Sequence, residues 1–252
     1  MDELLRETYD AEQRHFWYRG FQRFVRPFVA ETVAGCEQPW LLDAGCGTGA
    51  NLDLLSDFGR AHGFDVTWTG LRFATAQGRR RVACGRVSAA PFRDASVDVV
   101  TSFDVLYCLE ESEERAAIHE MYRVLRPGGS AVINVAAMAV LRGDHSIFDG
   151  EVRRYTRRGL RSVLERAGFK IVRMTHTNAS LLLPMLLLRA WQRWRGLART
   201  GKARSDFGQL PRPVNTLLSA VLAVEAGIIR WIELPFGSSI LCLARKPEDS
   251  ST

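Results

Sequence analysis

Between Trp40 and Phe169, short apolar runs alternate with longer amphipathic stretches, and this alternation constrains the fold more than any other feature. A strand, a returning helix and a parallel neighbouring strand make a βαβ unit; repeated units build a parallel sheet with helices on both faces. Runs at 40–43, 61–65, 82–84, 97–102 and 130–136 are bounded by Gly, Asp or Ser and predict strands. The segment 113–125 predicts a helix stopped by Arg126-Pro127-Gly128-Gly129, where proline blocks continuation and glycine permits reversal into the next strand. A second helix is predicted over 156–167, with Thr156 as N-cap, Leu160, Val163 and Leu164 as its apolar face, and Gly168 as terminator.

Strands at 169–175 and 240–244 follow, leaving 178–237 as an insertion with an apolar run at 181–188 and a helix over 214–232. Four parts are expected: an N-terminal helical lid (1–38), a Rossmann-like core (39–177), a helical cap insertion (178–237), and a final core strand with a tail (238–252). Pro184, Glu225 and Arg230 argue against a membrane span in the insertion.

Composition narrows the function classes. Hydrophobic residues at 46% and charged residues at 25% are those of a globular domain, not of a disordered or fibrous chain. Five scattered cysteines without paired spacing predict neither a disulfide framework nor a metal site, which fits a reducing compartment. The segment 1–6 lacks the apolar core of a signal peptide, so the expected location is the cytoplasm. The formal charge of +6 comes from dispersed arginines, with only Lys170, Lys202 and Lys246 as lysines, and it does not by itself call for a nucleic-acid partner.

Asp43-Ala44-Gly45-Cys46-Gly47-Thr48-Gly49-Ala50 follows a predicted strand and opens a helical stretch, the place where glycines let a cofactor approach the backbone. With Ala50 in the third place, the same residues satisfy the dinucleotide pattern G-x-G-x-x-[GA]. Asp43 separates the two readings. A carboxylate at the strand end repels a pyrophosphate but suits a ligand bearing amino and sulfonium cations. Asp65 lies 22 residues further on, at the end of the second strand, where an acid accepts hydrogen bonds from ribose hydroxyls.

Four ordered stretches resemble the successive motifs of class I S-adenosylmethionine-dependent methyltransferases. They are Leu42-Asp43-Ala44-Gly45-Cys46-Gly47-Thr48-Gly49, Gly63-Phe64-Asp65, Pro91-Phe92-Arg93-Asp94-Ala95-Ser96-Val97-Asp98, and Arg123-Val124-Leu125-Arg126-Pro127-Gly128-Gly129. The resemblance implies a seven-stranded, mostly parallel sheet whose last strand is antiparallel, with the cofactor across the C-terminal strand ends. It further implies S-adenosyl-L-methionine as cofactor, with Gly45, Cys46 and Gly47 under its methionine part beside Asp43. Asp65 would hold the ribose, Val87 would lie beside the adenine, and Phe103 and Asp104 near the transferred methyl. The chain departs from this pattern at Arg86, at Tyr107-Cys108, at Ser146 and at Glu151.

Methyl transfer is an in-line displacement that needs a held nucleophile and, for a hydroxyl or C–H acceptor, a general base. His145, in the loop after the fifth strand, is one candidate base, with Asp144, His15 and Tyr155 behind it. Glu225 is the other, because Val214, Leu217, Leu218, Val221, Leu222, Ile228, Ile229 and Ile232 define an apolar helix face with Glu225 at its centre.

The apolar run at 181–188, the following helix, and His15, Phe16, Trp17, Tyr18 and Phe21 as a lid together suggest a small, apolar acceptor methylated at O, N or C. Trp191, Trp194 and neighbouring arginines also suit peripheral membrane contact. Three alternatives stay open at this point: a relative with lost or altered methyl transfer, an NAD-dependent oxidoreductase, and a nucleic-acid methyltransferase.

Overall fold

The computed structural model describes residues 14–143, 146, 150–195 and 210–248. Among them, seven strands form one sheet: β1 (Trp40–Ala44), β2 (Arg60–Asp65), β3 (Val82–Cys84), β4 (Val97–Phe103), β5 (Leu125–Ala136), β6 (Lys170–Thr177) and β7 (Ser239–Arg245). Their spatial order is β3-β2-β1-β4-β5-β7-β6, with β7 antiparallel to both of its neighbours and the pairs from β3 to β5 parallel. This is the Rossmann-like architecture expected.

Alternation along buried strands explains the two-sided core. Leu41, Val99, Val132 and Leu243 point to one face, where they meet α1 (Phe16–Thr32), α2 (Ala50–Ser56) and α7 (Arg212–Ile228) through Phe24, Phe28, Leu55 and Leu222. Their neighbours Leu42, Val100, Ile133 and Cys242 point to the opposite face, against Ile118 of α4 (Glu111–Val124) and Leu160 of α5 (Arg157–Arg166). The other α-helices among the described residues are α3 (Trp68–Ala76) and α6 (Leu182–Trp194).

Local chemistry sets several boundaries. Glu111, Glu113 and Glu114 occupy the first turn of α4 and Arg123 its last, in the sense that complements the helix dipole. The Thr156 side chain accepts the Gly159 amide at 3.1 Å as N-cap of α5, and Gly168 takes φ +98°.

Two expectations need correction. The Arg126–Gly129 segment is not a free turn, because β5 already begins at Leu125, paired with Val97, and Gly128 at φ +76° absorbs the register shift. The inward face of α7 keeps Glu225, as expected, but is turned to one side of the apolar face expected around it. Leu222, Ala226 and Ile229 are buried, whereas Val214, Leu217 and Ile228 are exposed, because the helix is apolar on nearly every side and packing against α1 selects its orientation. Gly20 of α1 makes that close approach possible, since a Cβ there would collide with Leu222.

The chain leaves β1 to build β2 and β3 on one side, then crosses to β4 and β5 on the other. The ends of β1 and β4 therefore open the crevice where ligands bind in such sheets.

Candidate functional site

The glycine loop begins where β1 ends. Gly45 sits at φ +87°, in the left-handed region, and a Cβ there would run into Val105. Gly47, at φ +52°, has nothing within 4 Å of where a Cβ would lie, so its side-chain position is open space that a ligand can enter. The loop is tied down from below by Phe64, whose carbonyl accepts the Gly45 and Cys46 amides at 2.8 and 3.0 Å.

Asp43 lies beneath this loop, with only 1% of its surface exposed. Its Oδ1 accepts the Thr101 hydroxyl at 2.6 Å, a contact set by the β1–β4 register, while Oδ2 has no protein partner. Burial, partly offset by the Thr101 hydrogen bond and reinforced by the charge of Asp65, pushes its carboxyl up to about 7. A buried carboxyl with one unsatisfied oxygen leaves negative potential beneath the loop when it is ionised, which suits a cation-bearing ligand above it. Burial also raises the Cys46 thiol, followed in effect by the charges of Asp43 and Asp65, so Cys46 is a packing residue and not a nucleophile.

Asp65 ends β2. Its Oδ2 accepts the Gly47 amide at 2.9 Å and its Oδ1 the Thr67 amide at 2.7 Å, which aims the carboxylate along the loop and leaves lone pairs for ribose hydroxyls. Phe103 ends β4 and meets Phe21 of α1 edge to face at 5.1 Å. Asp104, next to it, takes φ +60° and is held from both ends by Asn134. Its amide donates to the Asn134 carbonyl at 3.1 Å, and its Oδ1 accepts the Asn134 side-chain amide at 2.8 Å. A non-glycine residue in the left-handed region carries local backbone strain, and the two bonds from Asn134 hold it there.

A cavity of about 500 Å³ joins these parts. Gly45, Cys46, Gly47, Phe103 and Asp104 line one end; the other is walled by Phe16, Trp17 and Tyr18 of α1, by Met185 and Leu188 of α6, and by Leu218 of α7. Asp43 and Asp65 stand behind the loop, and Val87 packs against the core on the α4 side, outside the cavity wall. Of the expected cofactor residues, Gly45, Cys46, Gly47, Phe103 and Asp104 face the cavity, and Asp43, Asp65 and Val87 lie outside its wall.

The catalytic candidates fare differently. His145 and Asp144 lie outside the described residues. Glu225 is buried but does not line the cavity, and both of its oxygens are engaged: Oε1 accepts the Ala179 amide and Oε2 the Ser180 amide, each at 2.9 Å, with the Ser180 hydroxyl also donating. Glu225 therefore anchors the turn that starts α6, where Asn178 takes φ +60°, and is not placed to move a proton in the cavity. Tyr155 is likewise structural. Its hydroxyl donates to the buried Glu114, and burial followed by that contact raises the phenol far above its ordinary range.

His15 does line the cavity. Its Nδ1 accepts the Trp17 amide at 3.3 Å as N-cap of α1, which puts the proton of the neutral ring on Nε2, and burial lowers its pKa.

Residues missed in the sequence complete the wall. Arg154 is held in a two-pronged pair by Glu151 at 2.8 and 2.9 Å, and also donates to the Ala137 carbonyl and to Ser146 Oγ. Ser146 and Glu151, two departures from the family pattern, thus serve to lock this arginine. Thr101 and Asn134 gave no local signal, since each acts through a strand neighbour.

A methyltransferase-domain family model matches residues 42–133. A protein of Mycolicibacterium smegmatis, named a probable S-adenosylmethionine-dependent methyltransferase, is 29% identical over 163 residues, 63% of this chain and 61% of that protein. Human probable tRNA methyltransferase 9B is 35% identical over 115 residues, 45% of this chain and 24% of its own length. The chain therefore spans less than two thirds of either relative. Among solved structures, the [4+2]-cyclase SpnF superposes with a TM-score of 0.58 at 23% identity, covering 90% of this chain and 81% of that one, a likeness of fold. The methyltransferase-domain model spans the stretch that carries the glycine loop, the two strand-end acids and the switch-point crevice, and over this stretch the chain is similar to S-adenosylmethionine-dependent methyltransferases.

Proposed function

We propose that the protein transfers the methyl group of S-adenosylmethionine to O, N or C of a small, mainly apolar acceptor. The observation that carries this is the continuity of the cavity, from the open glycine cradle past Phe103 and Asp104 to walls of Phe16, Trp17, Met185, Leu188 and Leu218. The bound cofactor supplies an electrophilic sulfonium methyl; the chain's task is to hold both reactants in line and keep water out.

Ionised Asp43 opposes the cationic end of the cofactor, and Asp65 takes the ribose hydroxyls. Backbone groups of Gly45–Thr48 pass alongside the methionine part. Two carboxylates line the described cavity, and Glu151 is committed to Arg154. Asp104 lines the cavity beside Phe103 and is positioned by Asn134, and it is assigned to accept a proton where the acceptor must lose one. His15, neutral at pH 7 with hydrogen on Nε2, is assigned to donate a hydrogen bond to the acceptor.

A tRNA acceptor is the second reading, favoured by the name of the human relative. That match covers only 115 residues and spans a quarter of that protein. Cavity walls of aromatic and aliphatic side chains support the small, apolar acceptor instead.

Titration calorimetry with S-adenosylmethionine, S-adenosylhomocysteine and NAD, followed by transfer of a labelled methyl into prenyl, acyl and polyketide pools and into total tRNA, tests both readings. Binding of the first two with label entering an apolar product is expected. Preference for NAD defeats the cofactor assignment, and label in tRNA alone defeats the acceptor assignment.

A further inference from the structure

Helix α6 carries a second apolar face that is exposed among the described residues. Leu183, Leu187, Trp191 and Trp194 fall within about 80° of one another on the helix and point outward, with exposures of 68%, 64%, 53% and 86%. Arg189 and Gln192, on the other side, are buried. Helix α7 repeats the pattern: Val214, Leu217, Val224 and Ile228 form an exposed stripe while Leu222 and Ala226 face the core, and Trp231 follows at 85% exposure. Large apolar side chains left exposed in a stripe along a helix mark a binding face, and each of these two helices carries one.

Its charges identify the occupant. Among the described residues from 182 to 232 the only carboxylate is Glu225, and it is buried on the inner side; Arg195, Arg212 and Arg230 are exposed. The Arg195 guanidinium lies 4.5 Å from the centre of the Trp191 ring, so a cation and an interfacial aromatic occupy one level. A second copy of this face would set arginine against arginine with no exposed acid among the described residues from 182 to 232 to pair them. An anionic bilayer surface offers phosphates for the arginines, acyl chains for the leucines, and the headgroup boundary where tryptophan concentrates. No described helix is long and apolar enough to cross a membrane, which suits a surface contact and not a span.

We propose that the outward faces of α6 and α7 dock the protein on anionic lipid bilayers. Leu188 and Leu210 are each 39% exposed and also line the cavity, so its rim lies beside this face. Docking would present the cavity mouth to lipid-dissolved acceptors, a consequence that rests on the methyl-transfer reading; the docking itself does not.

The test is flotation of the full chain, without cofactor or acceptor, with phosphatidylcholine vesicles that contain or lack phosphatidylglycerol, together with sedimentation velocity without vesicles. The expected result is flotation with the anionic vesicles, weakened by added salt and at least about tenfold weaker binding for Leu187→Glu/Trp194→Glu. Arg195→Gln/Arg212→Gln, which leaves the apolar stripes intact, should lose the preference for anionic vesicles. Unchanged cofactor affinity in both variants verifies folding. Protein that stays at the bottom of every gradient, or that forms a dimer dissociated by the Leu187/Trp194 substitutions without floating, overturns the proposal.

Discussion

The Thr101 hydroxyl donates to Oδ1 of Asp43 at 2.6 Å and leaves Oδ2 of that buried carboxylate with no protein partner. In the unfolded chain Asp43 ionises near 3.8, and in the folded protein near 7. Between those values the folded state binds the extra proton, so the stability linked to this group is full below its unfolded pKa and is lost as pH rises to about 7. Asp43→Asn removes that loss. At pH 8 it should raise the melting temperature of the free protein, on the order of 5 °C, while lowering S-adenosylmethionine affinity at least about tenfold. Thermal scans and calorimetry on the same samples check both signs.

The wild-type protein should bind S-adenosylmethionine more tightly as pH rises from 6 to about 8, because the cofactor's cation favours the ionised Asp43. Near pH 6.5 binding should release a proton, read as a dependence of the observed enthalpy on the ionisation heat of the buffer. A heat independent of buffer removes Asp43 from the ligand contact.

Gly45 and Gly47 should respond differently to alanine. Gly45→Ala meets both a left-handed backbone and Val105, so it should unfold more easily and lose affinity together. Gly47→Ala has room for its methyl; about 1 kcal/mol of stability is expected to go, with a disproportionate loss of cofactor binding because the methyl occupies the cradle. Equal affinity in Gly47→Ala and wild type would place the cofactor elsewhere.

Glu225→Ala should cost about 3 kcal/mol, since two buried amides and a hydroxyl lose a charged acceptor, and Glu225→Gln less, because it keeps one. Cofactor affinity should hold in both. A Glu225→Gln protein of normal stability whose turnover collapses by orders of magnitude would restore Glu225 as a base.

Glu151→Gln strands the buried Arg154 charge in the cavity wall and should destabilise by about 3–5 kcal/mol, whereas replacing both partners with apolar residues recovers much of that loss. A denaturant-unfolding double-mutant cycle measures the coupling; additive costs would show that the two side chains act independently.

Sequence alone determined the order of the strands from β1 to β5, the helix that precedes β5, the glycine loop, the two strand-end acids and the N-cap at Thr156, because each is written within a few consecutive residues. Periodicity, a glycine where φ must be positive and a carboxylate at a strand end are local facts. Tertiary structure decided the rest. Thr101 meets Asp43, and Asn134 meets Asp104, only through neighbouring strands. Glu225 finds its amides 45 residues or more away, and Arg154 is locked by departures from the family pattern. The inward side of α7 was illegible for a physical reason: a helix apolar all round has no unique face until Gly20 admits Leu222 and packing chooses one.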